Sequence, residues 1–174
     1  KYQITNNGTT TYVCDIYAKA ASPDSIAAQI IDINQGTNYG SKDNYVNPFG
    51  NNGTDSKLYS DAIIYEMHIR DWSRAAVADS TGKFLDIANS DEIINHLKDI
   101  GITHVQILPM FDYAQVNSDL NYNWGYNPYH YNVPEGRYVE YSTGDGIDAV
   151  NQMRSMIEKL HEAGIAVIMD VVYN

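Results

Sequence analysis

Asp170 closes the apolar run Ile165-Ala166-Val167-Ile168-Met169, and Val171-Val172-Tyr173-Asn174 follow it. Such an apolar, β-branched run reads as a strand buried on both faces, as in a parallel sheet. A carboxylate at the C-terminal end of such a strand suits a site, because α/β barrels assemble their sites there. The plainer alternative is an Asp bonded to backbone at a strand end. Asn174 could orient a carboxylate or lend its carbonyl to a cation, and reads equally as a turn residue. Most of whatever site Asp170 serves is expected to lie outside this sequence.

A second group is Tyr122-Asn123-Trp124-Gly125-Tyr126-Asn127-Pro128. Glycine permits close backbone approach, proline fixes a turn, and the flanking aromatics offer flat stacking surfaces. The chain carries 15 tyrosines, and seven of them (Tyr113, Tyr122, Tyr126, Tyr129, Tyr131, Tyr138 and Tyr141) fall in this neighbourhood. Rings with polar tips stack on sugar faces while bonding hydroxyls; they also pack a loop against itself. Both readings stay open from the residues alone.

Glu66, His68, Arg70 and Asp71 form a third group at the end of a predicted strand, Ala62 to Ile69. Alternation puts Glu66, His68 and Arg70 on one side. Inward polar groups need partners, so an internal ion-pair and hydrogen-bond network outweighs catalysis here. His96 and His161 are expected on helix surfaces. No two histidines share an element at metal-ligand spacing, and neither a Gly-x-Ser-x-Gly elbow nor a phosphate-binding glycine loop is present.

These residues need elements to hold them. Ser90 is a fitting N-cap for a helix with Ile93, Ile94, Leu97 and Ile100 on its apolar face, ended by Gly101. Ile102 to Leu108 predicts a second strand, stopped by Pro109. A second helix is predicted from Ile147 to Ala163, with Val150, Met153, Ile157 and Leu160 facing inward and Gly164 stopping it. The strand leading to Asp170 comes third. This order implies a parallel βαβαβ sheet. The long segments 71–89 and 110–144 follow strands and precede helices, so both are expected on the C-terminal face. Upstream, Thr9 to Tyr17 reads as a β segment and Ser22-Pro23-Asp24 as a turn. Ile30 to Ile33 is a strand candidate, with a short helix over 25–31 as its rival. Residues 34–57 read as loop or linker.

Composition bounds the partners. The net charge is −11, with 22 acidic against 11 basic residues. That argues against nucleic acid or an anionic membrane and leaves a neutral ligand as the easier partner. Cys14 is the single cysteine, so no internal disulfide is expected. No apolar run is long enough to span a membrane.

Four segments resemble the α-amylase superfamily, glycoside hydrolase family 13, and more narrowly its type I pullulanases. They are Ile64 to Ser73, Ile107 to Asp112, Tyr122 to Pro128, and Leu160 to Asn174. The segment from Asp15 to Ala20 is similar to the end of the β-sandwich, starch-binding-type module that precedes the barrel in those enzymes. The resemblance implies an α/β fold. Residues 1–40 would be the last strands of that module, 41–60 a linker, and 61–174 the first three β/α units of a (β/α)8 barrel, truncated after the third strand. It implies a retaining hydrolase of α-glucosidic bonds whose catalytic carboxylates follow strands four, five and seven, none of them in this chain. The implied activity is cleavage of α-1,6 branch points in pullulan or starch; the alternatives are an α-1,4-cleaving amylase or amylopullulanase fragment, or a non-catalytic glycan-binding fragment.

By residue, Tyr126 matches the tyrosine that stacks on the sugar at subsite −1, Asp170 the signature Asp supporting that subsite, and Asn174 the Asn that binds calcium in many α-amylases. Trp124 and Asn123 are expected to line the same wall. Asn127 departs from the pullulanase pattern, which has Asp there. No cofactor is expected beyond possible calcium. The expected partners are an α-glucan polysaccharide and the remainder of the same polypeptide, with neither nucleic acid nor membrane. A polymeric substrate implies an extracellular or cell-surface location, with the cytoplasm as the alternative.

Overall fold

In the computed structural model, residues 1–23, 25–33, 59–76, 81–114, 122–142 and 146–173 are described. Three parallel strands form the central sheet: β5 (Ile64–Met67), β6 (His104–Ile107) and β7 (Ala166–Met169). Their order is β5-β6-β7. Ile64 pairs with His104 and Met67 with Ile107; His104 pairs with Ala166 and Ile107 with Met169. A parallel neighbour requires a crossover, and helices supply it on both occasions. The expected parallel βαβαβ order is therefore present.

Between β5 and β6 run α1 (Ile69–Ala76), α2 (Phe84–Ala88) and α3 (Asp91–Asp99); between β6 and β7 runs α4 (Gly146–Glu162). Ser90 caps α3 as expected, its hydroxyl accepting the Ile93 N–H at 3.2 Å. Ile93, Ile94 and Leu97 are buried, but Ile100 is 44% exposed, because it is the C-cap and the chain turns away there. On α4, Val150 and Leu160 are buried while Met153 and Ile157 only flank the core. Met156, absent from the predicted stripe, is fully buried. Both helices end where predicted, at positive-φ glycines, Gly101 (φ 75) and Gly164 (φ 78). The core joins strand residues Met67, Val105 and Ile107 to Phe84, Ile87, Leu97, Met156 and Leu160.

Two expectations fail at β5. The strand stops at Met67, and α1 begins at Ile69, so the expected strand face of Glu66, His68 and Arg70 does not form. The His68 carbonyl already accepts the Trp72 N–H at 3.0 Å, and buried Ser73 bonds the Ile69 carbonyl at 2.8 Å. Burial of Ile69 and Ser73 one turn apart starts a helix where alternation predicts strand. The expected loop 71–89 likewise carries α2, because Phe84 and Ile87 are fully buried and the Asp86 carboxylate accepts the Gly82 and Lys83 N–H groups at 2.8 and 2.6 Å. β7 also differs from its expected burial. Ala166 is buried, but Val167, Ile168 and Met169 are half-buried, because among the described residues β7 has β6 as its single strand neighbour.

The N-terminal part holds two antiparallel pairs: β1 (Tyr2–Asn6) with β2 (Thr9–Val13), and β3 (Ala20–Ala21) with β4 (Ala28–Gln29). The predicted β segment ends at Val13, and Ile30 to Ile33 is neither strand nor helix. Ile30 is fully exposed, whereas Ala18, Ala20 and Ala21 are buried. Small side chains make the contact here: Ala20 and Ala21 press on the start of α4, and the Gln29 side-chain carbonyl accepts the Gly146 N–H. Arg154 on α4 donates to the Ile33 carbonyl at 2.9 Å. Most of the predicted linker lies outside the described residues; Tyr59–Asp61 forms a 3-10 turn. Among the described residues no helix is long and apolar enough to cross a membrane.

Candidate functional site

Tyr126 and Asp170 meet beyond the C-terminal ends of β6 and β7. The Tyr126 hydroxyl donates to Asp170 Oδ2 at 2.6 Å, across 44 residues of sequence. Asp170 is presented by the end of the ladder, its own N–H bonding the Ile107 carbonyl at 3.1 Å. That hydrogen bond to Asp170 first, then burial, then the charges of Asp170 and Glu66, push the Tyr126 phenol up to about 12. Tyr126 therefore stays a donor at neutral pH. Glu66, on β5, thus adds its charge to the shift that Asp170 dominates.

The loop 122–128 is held from below. Gly125 adopts φ +89, and a Cβ there would lie 2.7 Å from the Pro109 carbonyl oxygen and 3.0 Å from Pro109 Cβ. Only glycine lets the loop rest this closely on the end of β6. Asn123 Oδ1 accepts the Gly125 N–H at 2.9 Å, and its Nδ2 donates to Asn127 Oδ1 at 3.3 Å. Asn127 Nδ2 in turn reaches the Ala114 carbonyl at 3.4 Å. An amide at 127 can donate in this way where a carboxylate could not. Tyr113 bridges Pro128 and Phe111 bridges Pro134, so the loop folds back as a short antiparallel arch.

The aromatic cluster divides into buried and exposed rings. Tyr113 and Tyr138 are buried packing, whereas Tyr122, Trp124, Tyr126, Tyr129 and Tyr131 keep more than a third of their surface exposed. Trp124 stands 56% exposed, edge-on to Tyr122 with ring centroids 6.0 Å apart. Of the predicted site residues, Tyr126 and Asp170 touch each other, Trp124 offers an open ring on the same loop, and the Asn123 side chain is engaged within the loop. Asn174 lies outside the described residues. Among the described residues no group of three or more His, Cys, Asp or Glu gathers to hold a metal ion.

His68 follows β5 and is buried. Its Nε2 lies 3.2 Å from the Asn123 carbonyl and 3.0 Å from the Tyr138 hydroxyl, and its Nδ1 lies 3.4 Å from the Asp71 N–H. Burial lowers its pKa, and the nearby Asp71 carboxylate opposes this. The predicted internal network thus exists, but it runs to the aromatic loop instead of along the strand. His96 is exposed, as predicted; His161 is half-buried, with its pKa lowered by burial.

Two polar clusters escape a sequence reading. Glu135 is buried and accepts the Tyr113 N–H at 3.0 Å and the Arg137 N–H and Nε–H at 2.8 Å each. Burial raises its pKa against the pull of Arg137. Arg137 covers the Tyr113 ring at 3.9 Å. The second cluster ties the N-terminal segment to the loop: Ser25 donates to Asp112, and Asp112 holds His130 Nδ1. Burial works against the His130 charge, but the Asp112 bond prevails and raises its pKa. Ser25 and Asp112 are 87 residues apart, and no local pattern announces such a pair.

No family model matches the chain. The pullulanase of Bacillus subtilis (strain 168) is 37% identical over 127 residues, covering 66% of this chain and 18% of that protein. Pullulanase A of Streptococcus pneumoniae serotype 2 is 32% identical over the whole of this chain and 15% of its own length. Among solved structures, the apo pullulanase of Paenibacillus barengoltzii superposes with a TM-score of 0.82 at 32% identity, over 99% of this chain and 28% of that one. A complex of the same enzyme with maltohexaose and α-cyclodextrin superposes at 0.75, with the same identity and coverage. Over its length, then, this chain is similar to pullulanases, and it spans less than a fifth of the curated relatives described here.

Proposed function

We propose that the chain is part of a family 13 α-glucan debranching hydrolase of the type I pullulanase kind, contributing the first three β/α units of a (β/α)8 barrel and one wall of its sugar site. The observation that carries this reading is the Tyr126–Asp170 hydrogen bond at 2.6 Å, beyond the ends of parallel strands, inside a segment whose relatives are pullulanases. An α-glucan ring would stack on Tyr126, which Asp170 fixes in orientation. Trp124 would give a second apolar face. Asn123 would act through the loop, since its amide is spent on Gly125 and Asn127. A neutral, hydroxyl-rich ligand also suits a chain of charge −11.

Retaining hydrolysis needs two carboxyl groups about 5–5.5 Å apart across the scissile bond. In this reading both come from the remainder of the polypeptide, which also completes the barrel. Asp170 is bonded to a tyrosine and supports the sugar without attacking it. Any calcium would be tied to Asn174 and to donors beyond the described residues. A polymeric substrate favours action outside the cell or at its surface.

The test is digestion of pullulan by the whole polypeptide that carries this chain. Cleavage of its α-1,6 bonds releases maltotriose, the result expected. Release of α-1,6-containing trisaccharides would assign an α-1,4 hydrolase instead, and binding of glucan with no products would assign a glycan-binding protein.

A further inference from the structure

His68 joins three elements that sequence keeps apart: the end of β5, the loop 122–128 and the 3-10 turn Gly136–Tyr138. The Asp71 N–H points at Nδ1, so Nδ1 is the acceptor and Nε2 carries the proton. Nε2–H is then shared between the Asn123 carbonyl and the Tyr138 oxygen, and the Tyr138 hydroxyl is free to donate onward to Tyr113 at 3.3 Å. The Tyr122 ring rests against the imidazole with centroids 5.2 Å apart. Asp71, whose carboxylate lies 3.9 Å from His68 Nδ1, also takes a hydrogen bond from the Tyr122 hydroxyl.

We infer that His68 is a positioning residue that sets the height of the Tyr122–Tyr126 loop for a glucan ring. The inference rests on the proposed function for the identity of the ligand, and on the geometry alone for the loop. The neutral ring fits all its neighbours. A second proton on Nδ1 would oppose the Asp71 N–H and draw the Asp71 carboxylate away from Tyr122. The groups facing the imidazole are Asp71 and Arg70 on α1, Tyr138 on the 3-10 turn, Tyr113 beyond it, and Tyr122 on the loop. Burial disfavours the charge most; the Asp71 carboxylate and the Asn123 carbonyl favour it, and Arg70 opposes it. Acid should therefore loosen the loop, and neutral pH should hold it.

The experiment uses the whole polypeptide, with His68→Phe (flat ring, no hydrogen bonds) and His68→Gln (a side-chain N–H able to reach Asn123). Amide exchange over residues 122–128, corrected for its intrinsic pH dependence, reads the loop without sugar; maltotriose titration reads the site. His68→Phe should speed exchange and weaken maltotriose about tenfold each, the usual scale for a lost buried bond, with His68→Gln recovering most of both. Wild type should lose affinity as pH falls below about 6.5, and His68→Gln should not. Unchanged exchange in a His68→Phe protein of normal melting temperature would overturn the inference. If His68→Phe does not fold, equal acid dependence in wild type and His68→Gln would overturn it. Faster exchange in a protein whose wild type binds no maltotriose would overturn the glucan part and the proposed function with it, while upholding the loop part.

Discussion

Tyr126 owes its elevated pKa, about 12, first to the hydrogen bond it donates to Asp170. Removing the acceptor charge should reverse this. In Asp170→Asn, Tyr126 is expected to titrate closer to the ordinary tyrosine value of about 10. A spectrophotometric tyrosine titration against wild type checks it, with Tyr126→Phe identifying the shifted group. An unmoved titration curve would mean that Asp170 does not control the phenol. At this scale the sequence was a fair guide. Strand-end position marked Asp170 and the motif marked Tyr126, but their direct bond spans 44 residues and could not be read from either. Asn123 is expected at the site wall, while its side chain is engaged within the loop, bonding Gly125 and Asn127. His130 and Asp112 gave no signal, because a buried ion pair is assembled by tertiary structure and leaves no periodicity behind.

The elements were legible wherever one rule acted alone. Ser90, the Ile93-Ile94-Leu97 stripe and the two terminal glycines located α3 and α4 to within a residue or two. The β5–α1 junction was not legible, because an alternating pattern over 66–70 competes with the one-turn pair Ile69–Ser73, and burial favours the helix. The loop 122–128 depends on Gly125. Gly125→Ala combines a positive φ with a Cβ 2.7 Å from the Pro109 carbonyl, so it should cost about 1–3 kcal/mol. A lower melting temperature, with faster exchange confined to the loop, is the expected outcome. Two histidines should shape the pH dependence of stability in opposite directions. His68 has a lowered pKa in the fold, so its contribution is present above the unfolded value of about 6.5 and is lost as pH falls toward the folded value. His130 has a raised pKa, so the stability from its Asp112 pair is full below about 6.5 and is lost as pH rises through the folded value. Melting curves across pH should therefore show a shallower acid limb in His68→Gln and a shallower alkaline limb in His130→Asn.

For the molecule as a whole, the three-stranded sheet leaves β5 and β7 each with one strand neighbour among the described residues. An unpaired parallel edge is completed by further strands in a closed barrel. The 174-residue chain by itself is therefore expected to release no sugar from pullulan, and the whole polypeptide is expected to release maltotriose. Turnover by rigorously purified chain, abolished by a substitution within it, would refute this. The parallel α/β order was readable from the βαβαβ rhythm. The attachment of the N-terminal segment was not, since it relies on Ala20, Ala21, Ser25 and Gln29, small or polar residues that carry no amphipathic signal.

Calorimetric titration of maltotriose into the whole polypeptide, wild type against Tyr126→Ala, tests Tyr126 as a glucan platform most directly. Loss of one aromatic face removes roughly 0.5–1.5 kcal/mol, so affinity should fall about two- to tenfold at an unchanged melting temperature. Equal affinity in the two proteins would contradict the account.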